Sequence, residues 1–201
     1  MSPQILIVGI TGPIASGKGK VAELFKKKGF THHSFSAEIR AVAKERGIKI
    51  NRKNLSKLGV KLRKESPDKS ILCERTLSTI KNDIVHGKKR FVVEGIRDID
   101  EISMFRAEEK KNKKLRFILI GVDAPQKKRY RWLKARGRHG DPKTYPEFKK
   151  IDDAEWKGTG GQEVGKCMKK ANIIIKNIGT ADQLKKKADE IIKKRIHRED
   201  F

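Results

Sequence analysis

Cysteine is nearly missing from this chain of 201 residues: Cys73 and Cys167 stand far apart, outside any Cys-x-x-Cys or Cys/His cluster. That excludes a disulfide scaffold and a zinc module and leaves the expectation of two buried free thiols. Aromatic residues are also few, at 6%, which leaves little material for platforms that stack nucleic-acid bases. No apolar run approaches the ~20 residues of a membrane span. The run ILIVGI is followed by a Gly-rich basic loop where a secretory cleavage site would lie, so a soluble, cytoplasmic protein without a membrane partner is expected. Acidic residues are the largest deficit, 25 against 50 Lys plus Arg, for a net charge of +25. Such an excess suits nucleic acid, phosphorylated small molecules or a lysine-rich surface, and the placement of the charges must decide among them.

The hydrophobic 36% is gathered into compact runs, ILIVGI, RFVVEGI and RFILIGV, which read as strands buried on both faces. Five strands are expected, at Ile5–Thr11, His32–Phe35, Arg90–Glu94, Leu115–Val122 and Asn172–Lys176, with helical patterns between them. Ser36 is a candidate cap for the helix after the second strand, Asn51 or Asn54 for the next and Asp68 for another. Pro125 is expected at the first position of a helix running to Ala135, and the last helix at Ala181–Ile196. Strands alternating with helices give a single three-layer α/β/α domain over 1–201 with a parallel five-stranded sheet and a long helical insertion before the third strand.

Gly12 to Lys18 fits Gly-x-x-x-x-Gly-Lys between an apolar strand and a helix, the context in which that pattern binds phosphate. Gly12, Pro13, Ile14, Ala15, Ser16, Gly17, Lys18, Gly19 and Lys20 mark out the ATP-binding stretch, the backbone N–H groups of all but Pro13 being available to phosphate, and Lys18 is placed to reach the β and γ phosphates. The residue after the lysine is normally Ser or Thr, whose hydroxyl holds Mg2+; here it is Gly19, so the metal must find its protein contact elsewhere. Glu94, at the end of the third strand, is the candidate, acting through water, and Arg97 three residues on suits a substrate phosphate. Asp123 is a weaker carboxylate of the same kind, with helix capping as its ordinary use. Beyond the fourth strand Arg129, Arg131, Arg136 and Arg138 lie among Lys127, Lys128 and Lys134, and Arg136 and Arg138, flanking Gly137, are the better candidates for stabilising a transferring phosphoryl group. Each of these charges also has a plain reading as part of a solvated face.

Together, Gly12–Lys18, Val93-Glu94-Gly95-Ile96-Arg97, Arg136-Gly137-Arg138 and Asn177-x-Gly179-Thr180 followed by Leu184 resemble the P-loop nucleoside monophosphate kinases, with dephospho-CoA kinase and uncharacterised archaeal relatives also similar. The resemblance implies ATP, with Mg2+, phosphorylating a small phosphorylated acceptor, first of all a (deoxy)nucleoside monophosphate. It also implies an acceptor-binding insertion over about 37–88, a lid over about 127–161 and an adenine pocket near Asn177–Thr180. Ser36, Glu38, Arg40 and Arg63 fall on the implied acceptor side. Ser36-Ala37-Glu38 stands where dephospho-CoA kinases carry Asp-x-Asp, which counts against dephospho-CoA as acceptor. Two readings of other classes stay open. Gly19 motivates a nucleotide-binding regulator without turnover, and the basic surplus motivates an ATPase on RNA or DNA, with only Tyr130 and Trp132 interleaved in a basic run. Trp132 and Trp156 are expected in helix packing, and the pair His32–His33 is expected to be structural.

Overall fold

A computed structural model describes residues 5–66, 71–159 and 161–193. Along the chain it runs β1 (Ile5–Thr11), α1 (Lys18–Lys27), β2 (Thr31–Ser34), α2 (Phe35–Glu45), α3 (Arg52–Glu65), α4 (Ile71–Val85) and β3 (Arg90–Ile96). It continues with α5 (Ile99–Lys111), β4 (Leu115–Asp123), α6 (Gln126–Arg136), α7 (Tyr145–Lys157), α8 (Val164–Lys169), β5 (Ile173–Lys176) and α9 (Ala181–Ile191). The strands form one sheet in the order β2-β3-β1-β4-β5, every pairing parallel.

β1 is central, and all seven of its residues are buried, as an unbroken β-branched run requires when helices cover both faces. One layer packs Val21, Ala22 and Phe25 of α1 and Leu184 of α9 against Val8, Ile10, Val92 and Ile120. The other packs Phe35, Val42, Leu58, Leu72, Ile102 and Phe105 against Ile7, Phe91, Val93 and Leu119, and takes in both cysteines as buried thiols. A third, small cluster of Ile14, Leu133 and Phe148 seats α6 and α7 on the end of β1. The expected three-layer architecture is the observed one, and no helix among the described residues is long and apolar enough to cross a membrane.

Several boundaries differ from expectation. Phe35, read as the end of a strand, is the first residue of α2 and sits in the core at 1% exposure, so Ser34 and not Ser36 precedes the helix. Pro125 is the residue before α6 and not its first member. Asn51 caps α3 by accepting from the Asn54 amide at 2.9 Å. Asp98 and Thr180 head α5 and α9 with reciprocal capping boxes. The proposed cap Asp68 and the end of the last helix at Ile196 lie outside the described residues.

Candidate active site

β1 delivers the chain into the phosphate loop at its carboxyl end, next to the ends of β3 and β4, where ligands collect in open α/β sheets. The wrap is tight. Gly12 has φ 144°, and a side chain there would stand 2.2 Å from the Val122 carbonyl oxygen, so only glycine lets the loop pass beneath β4. Asn177, after β5, donates from Nδ2 to the Ser16 carbonyl at 2.9 Å and is itself buried. It braces the loop from behind, while its chain neighbours Lys176 and Ile178 line the cavity described below.

Lys18 is 7% exposed and its Nζ donates to the carbonyls of Gly12 and Pro13, each at 2.7 Å. Burial, reinforced by the nearby positive charge of Arg97 and opposed by Glu155 and Glu94, lowers its pKa to about 7. The hydroxyl oxygens of Thr11, at the end of β1, and of Ser16, in the loop, are buried with no hydrogen-bond partner among the described residues. Orphaned buried hydroxyls are costly, and at the mouth of a phosphate loop their natural partners are phosphate oxygens.

Glu94 emerges from β3 half-buried. Burial raises its pKa, but His32, Lys18 and Arg97 outweigh that and hold the carboxyl below its ordinary value. A β-carbon on Gly19 would lie 3.4 Å from Glu94 Oε1 and 3.7 Å from Oε2. The carboxylate expected to serve the metal therefore stands against the very residue that lacks the hydroxyl. Arg97 is gripped by Gln162 Oε1 at 2.7 Å and by Glu155 Oε1 at 3.1 Å, while the second Glu155 oxygen is buried without a hydrogen-bond partner among the described residues.

The basic segment after β4 divides. Arg129, passed over in favour of its neighbours, is buried at 5%: it donates to the carbonyls of Ala124 (2.8 Å) and Ile14 (3.0 Å), grips Asp152 through both terminal nitrogens and lies 5.7 Å over the Phe148 ring. It is a strut beneath the phosphate loop. Arg136 is exposed and bonded to Asp141 by Nε at 2.9 Å and Nη2 at 3.2 Å; the same carboxylate takes the guanidinium of Arg52, from the start of α3. Asp141 thereby clasps the 137–144 loop to the insertion. Arg138 and Arg131 are exposed. Replacing Asp141 by Asn leaves two guanidiniums facing each other without the carboxylate they share, so tryptic cleavage after Arg136 and Arg138 is expected to quicken several-fold. Unchanged cleavage rates would mean the loop is held by something else.

On the expected acceptor side, Ser36 and Arg40 are exposed, with Arg40 donating to the Ser36 carbonyl at 3.1 Å, and Glu38 accepts from Arg75 at 3.2 Å. Arg63 does not belong with them. It is 2% exposed and engaged with Glu101, itself 0% exposed, which also accepts from the backbone amides of Arg97 and Asp98. This buried pair ties α3 to the turn that carries Arg97, and its guanidinium has no access to a ligand. Trp156, expected in packing, is 44% exposed on the wall of a cavity of about 500 Å3 lined also by Asp123, Gln126, Arg129, Asp152 and Ile178. The cavity adjoins the phosphate loop through Arg129. The interleaved Tyr130, in contrast, packs its ring on Tyr145 and Phe148 and donates its hydroxyl to the Lys143 carbonyl, so it offers no platform to a base.

A phosphate loop braced in this way, at the carboxyl edge of a 2-3-1-4-5 sheet, has its counterpart in known proteins. Residues 11–149 match the model of the AAA_17 family, described as an AAA domain. UPF0200 protein TK1334 of Thermococcus kodakarensis is 31% identical over 197 residues, which span 94% of this chain and 100% of that one. The chain belongs to the AAA_17 family. It also belongs with the UPF0200 proteins. Among solved structures, dephospho-CoA kinase from Campylobacter jejuni superposes with a TM-score of 0.57 at 16% identity, covering 93% of this chain and 95% of that one. Shikimate kinase from Bacteroides thetaiotaomicron does so with a TM-score of 0.55 at 10% identity, covering 94% and 97%. At such identities the likeness establishes a P-loop kinase-like fold.

Proposed function

We propose that this protein transfers the γ-phosphoryl group of ATP to a small phosphorylated acceptor, a (deoxy)nucleoside monophosphate in the first place. The observation that carries the reading is the centre itself: a buried, poised Lys18 and two unpartnered hydroxyls in a phosphate loop, with the guanidinium of Arg97 close enough to depress the lysine. Phosphoryl transfer asks chiefly for positioning and charge stabilisation, and a phosphate acceptor, already an anion, needs no strong general base.

In this reading the loop amides and Lys18 hold the triphosphate, and the 500 Å3 cavity beside the exposed face of Trp156 takes the nucleoside. Arg97 holds the acceptor phosphate. Ser36, Glu38 and Arg40 border it. Arg136 and Arg138, on a lid over about 127–161, approach the transferring group once Asp141 releases Arg136. The orphaned hydroxyls and the carboxylate facing Gly19 fit Mg2+-ATP. Bound Mg2+ would neutralise charge between the phosphates, with Glu94 the carboxylate beside the loop to hold it. Of the two aromatics interleaved in the basic run, Tyr130 is taken up in an aromatic cluster, which counts against a base-stacking platform there.

The test is coupled ADP formation over a panel of nucleoside monophosphates, with dephospho-CoA and shikimate included. At least one monophosphate should stimulate ADP release a hundredfold or more over ATP alone. Tight ATP binding with no acceptor-dependent ADP from any of them would replace the kinase by a nucleotide-binding regulator.

A further inference from the structure

Strand alternation separates the two adjacent histidines of β2. His33 turns to the layer containing Phe91, where its Nε2 lies 3.1 Å from Asp83 Oδ2 of α4. His32, paired in register with Val92, turns to the opposite face, the one covered by α1. There its Nε2 lies 3.7 Å from Glu94 Oε2 and is buried with no closer hydrogen-bond partner among the described residues. Glu94 in turn lies against Gly19, at the contact distances given above. His32, Glu94 and Gly19 thus form a row leading from an interior imidazole to the first turn of α1.

The row answers the question raised by Gly19. A loop that ends Gly-Lys-Gly has lost the hydroxyl that ordinarily touches the metal. Here the space beside it is taken by a carboxylate, a stronger ligand for a hard divalent cation than a hydroxyl. A carboxylate at the end of a strand has two free torsions beyond its β-carbon and needs an outside contact to hold one setting. The unpartnered edge of His32 supplies one, in the way that groups behind a metal ligand fix its orientation.

Resting on the reading that this loop binds a metal-nucleotide complex, we infer that Glu94 substitutes for the missing loop hydroxyl as direct protein ligand of the nucleotide-bound divalent ion, with His32 as the residue that positions it. This differs from a water-mediated role because it makes positions 19 and 94 interchangeable. A hydroxyl restored at 19 does the work of the carboxylate at 94. Geometry permits the exchange: Gly19 is exposed, lies in the helical region without a positive φ, and a β-carbon there meets Glu94 only at ordinary van der Waals contact.

Equilibrium binding tests it without turnover. The affinity of a fluorescent ATP analogue is measured in EDTA and across a Mg2+ titration, on the full chain, for wild type, Glu94→Gln, Gly19→Ser, the double variant and His32→Leu. Wild type should bind more tightly with Mg2+. Glu94→Gln should weaken the apparent Mg2+ affinity about a hundredfold and His32→Leu about tenfold, the range seen for ligands and their supporting groups, while affinity in EDTA stays within twofold. Gly19→Ser in the Glu94→Gln background should recover at least tenfold of the loss. If Glu94→Gln and His32→Leu leave the Mg2+ dependence untouched, or if the serine recovers nothing, the exchange is wrong although nucleotide binding stands. If wild type binds no nucleotide at all, the functional reading falls with it. Loss of binding in EDTA as well as in Mg2+ would assign His32 a purely structural role and overturn its part of the inference.

Discussion

Replacing Lys18 by methionine is expected to lower acceptor-dependent ADP formation by about a hundred- to a thousandfold, the cost of removing one preorganised charge from a transition state, and at the same time to stabilise the fold near neutral pH. The two effects have one origin. Lys18 is held at about 7 by burial and the adjacent Arg97, against an ordinary value near 10.4 in the unfolded chain. Between those values the unfolded chain binds more protons at this site than the native one. The site's full native stability is therefore present above about pH 10.4, is lost as pH falls towards 7, and suffers no further loss below 7. The whole shift corresponds to roughly 5 kcal/mol. Methionine removes that penalty but leaves the Gly12 and Pro13 carbonyls without their donor, at about 1 to 1.5 kcal/mol each, so a net gain of about 2 kcal/mol at pH 7 is expected. Urea unfolding of both proteins at pH 7 and pH 10 checks it: at the higher pH, where most of the penalty has gone from the wild type but the carbonyls still lack their donor, the difference should change sign.

The same lysine gives binding a proton signature. A triphosphate laid across Nζ favours the charged form, so at pH 8.5, where free Lys18 is mostly neutral, ATP binding should take up close to one proton per site. Calorimetry in buffers of different ionisation enthalpy measures this, and the Lys18→Met protein, which keeps the nucleotide's own ionisation, is the control. Equal proton uptake by the two would show that Lys18 stays neutral in the complex and contributes no charge.

What could be read from the sequence was what local pattern governs. The run Ile5–Thr11, uniformly apolar and β-branched, is the doubly covered central strand, and the glycines and lysine after it form the phosphate loop. Glu94 and Arg97 met at that loop because a parallel sheet brings its strand ends to one edge. The misreadings concern partners distant in sequence. Arg63 sits on an amphipathic helix among surface lysines, and nothing local announces that Glu101, 38 residues on, draws it into the core. Arg129 and Arg136 look alike in a basic helix. Which one is buried depends on Asp152 and Asp141, supplied by separate segments. His32 and His33 are indistinguishable as a dipeptide, and only the pairing of β2 with β3 sends one to Glu94 and the other to Asp83. The inward turn of Asn177 is of the same kind: Gly17, far away in sequence, leaves room behind the loop for its amide.

Arg129 allows the support of the site to be separated from its chemistry. Replacing it by methionine leaves Asp152, 3% exposed, without its guanidinium, and a buried charge deprived of its partner costs about 3–5 kcal/mol. Against a total of roughly 5–15 kcal/mol for a domain, that is a large share, and urea unfolding at 25 °C should show it directly. Gln126, which donates to Asp152 at 2.7 Å, is too weak a substitute to recover it. Removing both charges, with Asp152→Leu added, should return most of the stability, since an apolar pair of similar size often matches or exceeds a buried ion pair. It cannot return the bond from Arg129 to the Ile14 carbonyl. The double variant is therefore expected to be stable but to bind ATP about tenfold more weakly, its loop intact in sequence and unbraced in structure. Full recovery of ATP affinity alongside stability would show that Asn177 and the backbone hold the loop unaided, and that the Arg129 strut serves only the seat of α6 and α7.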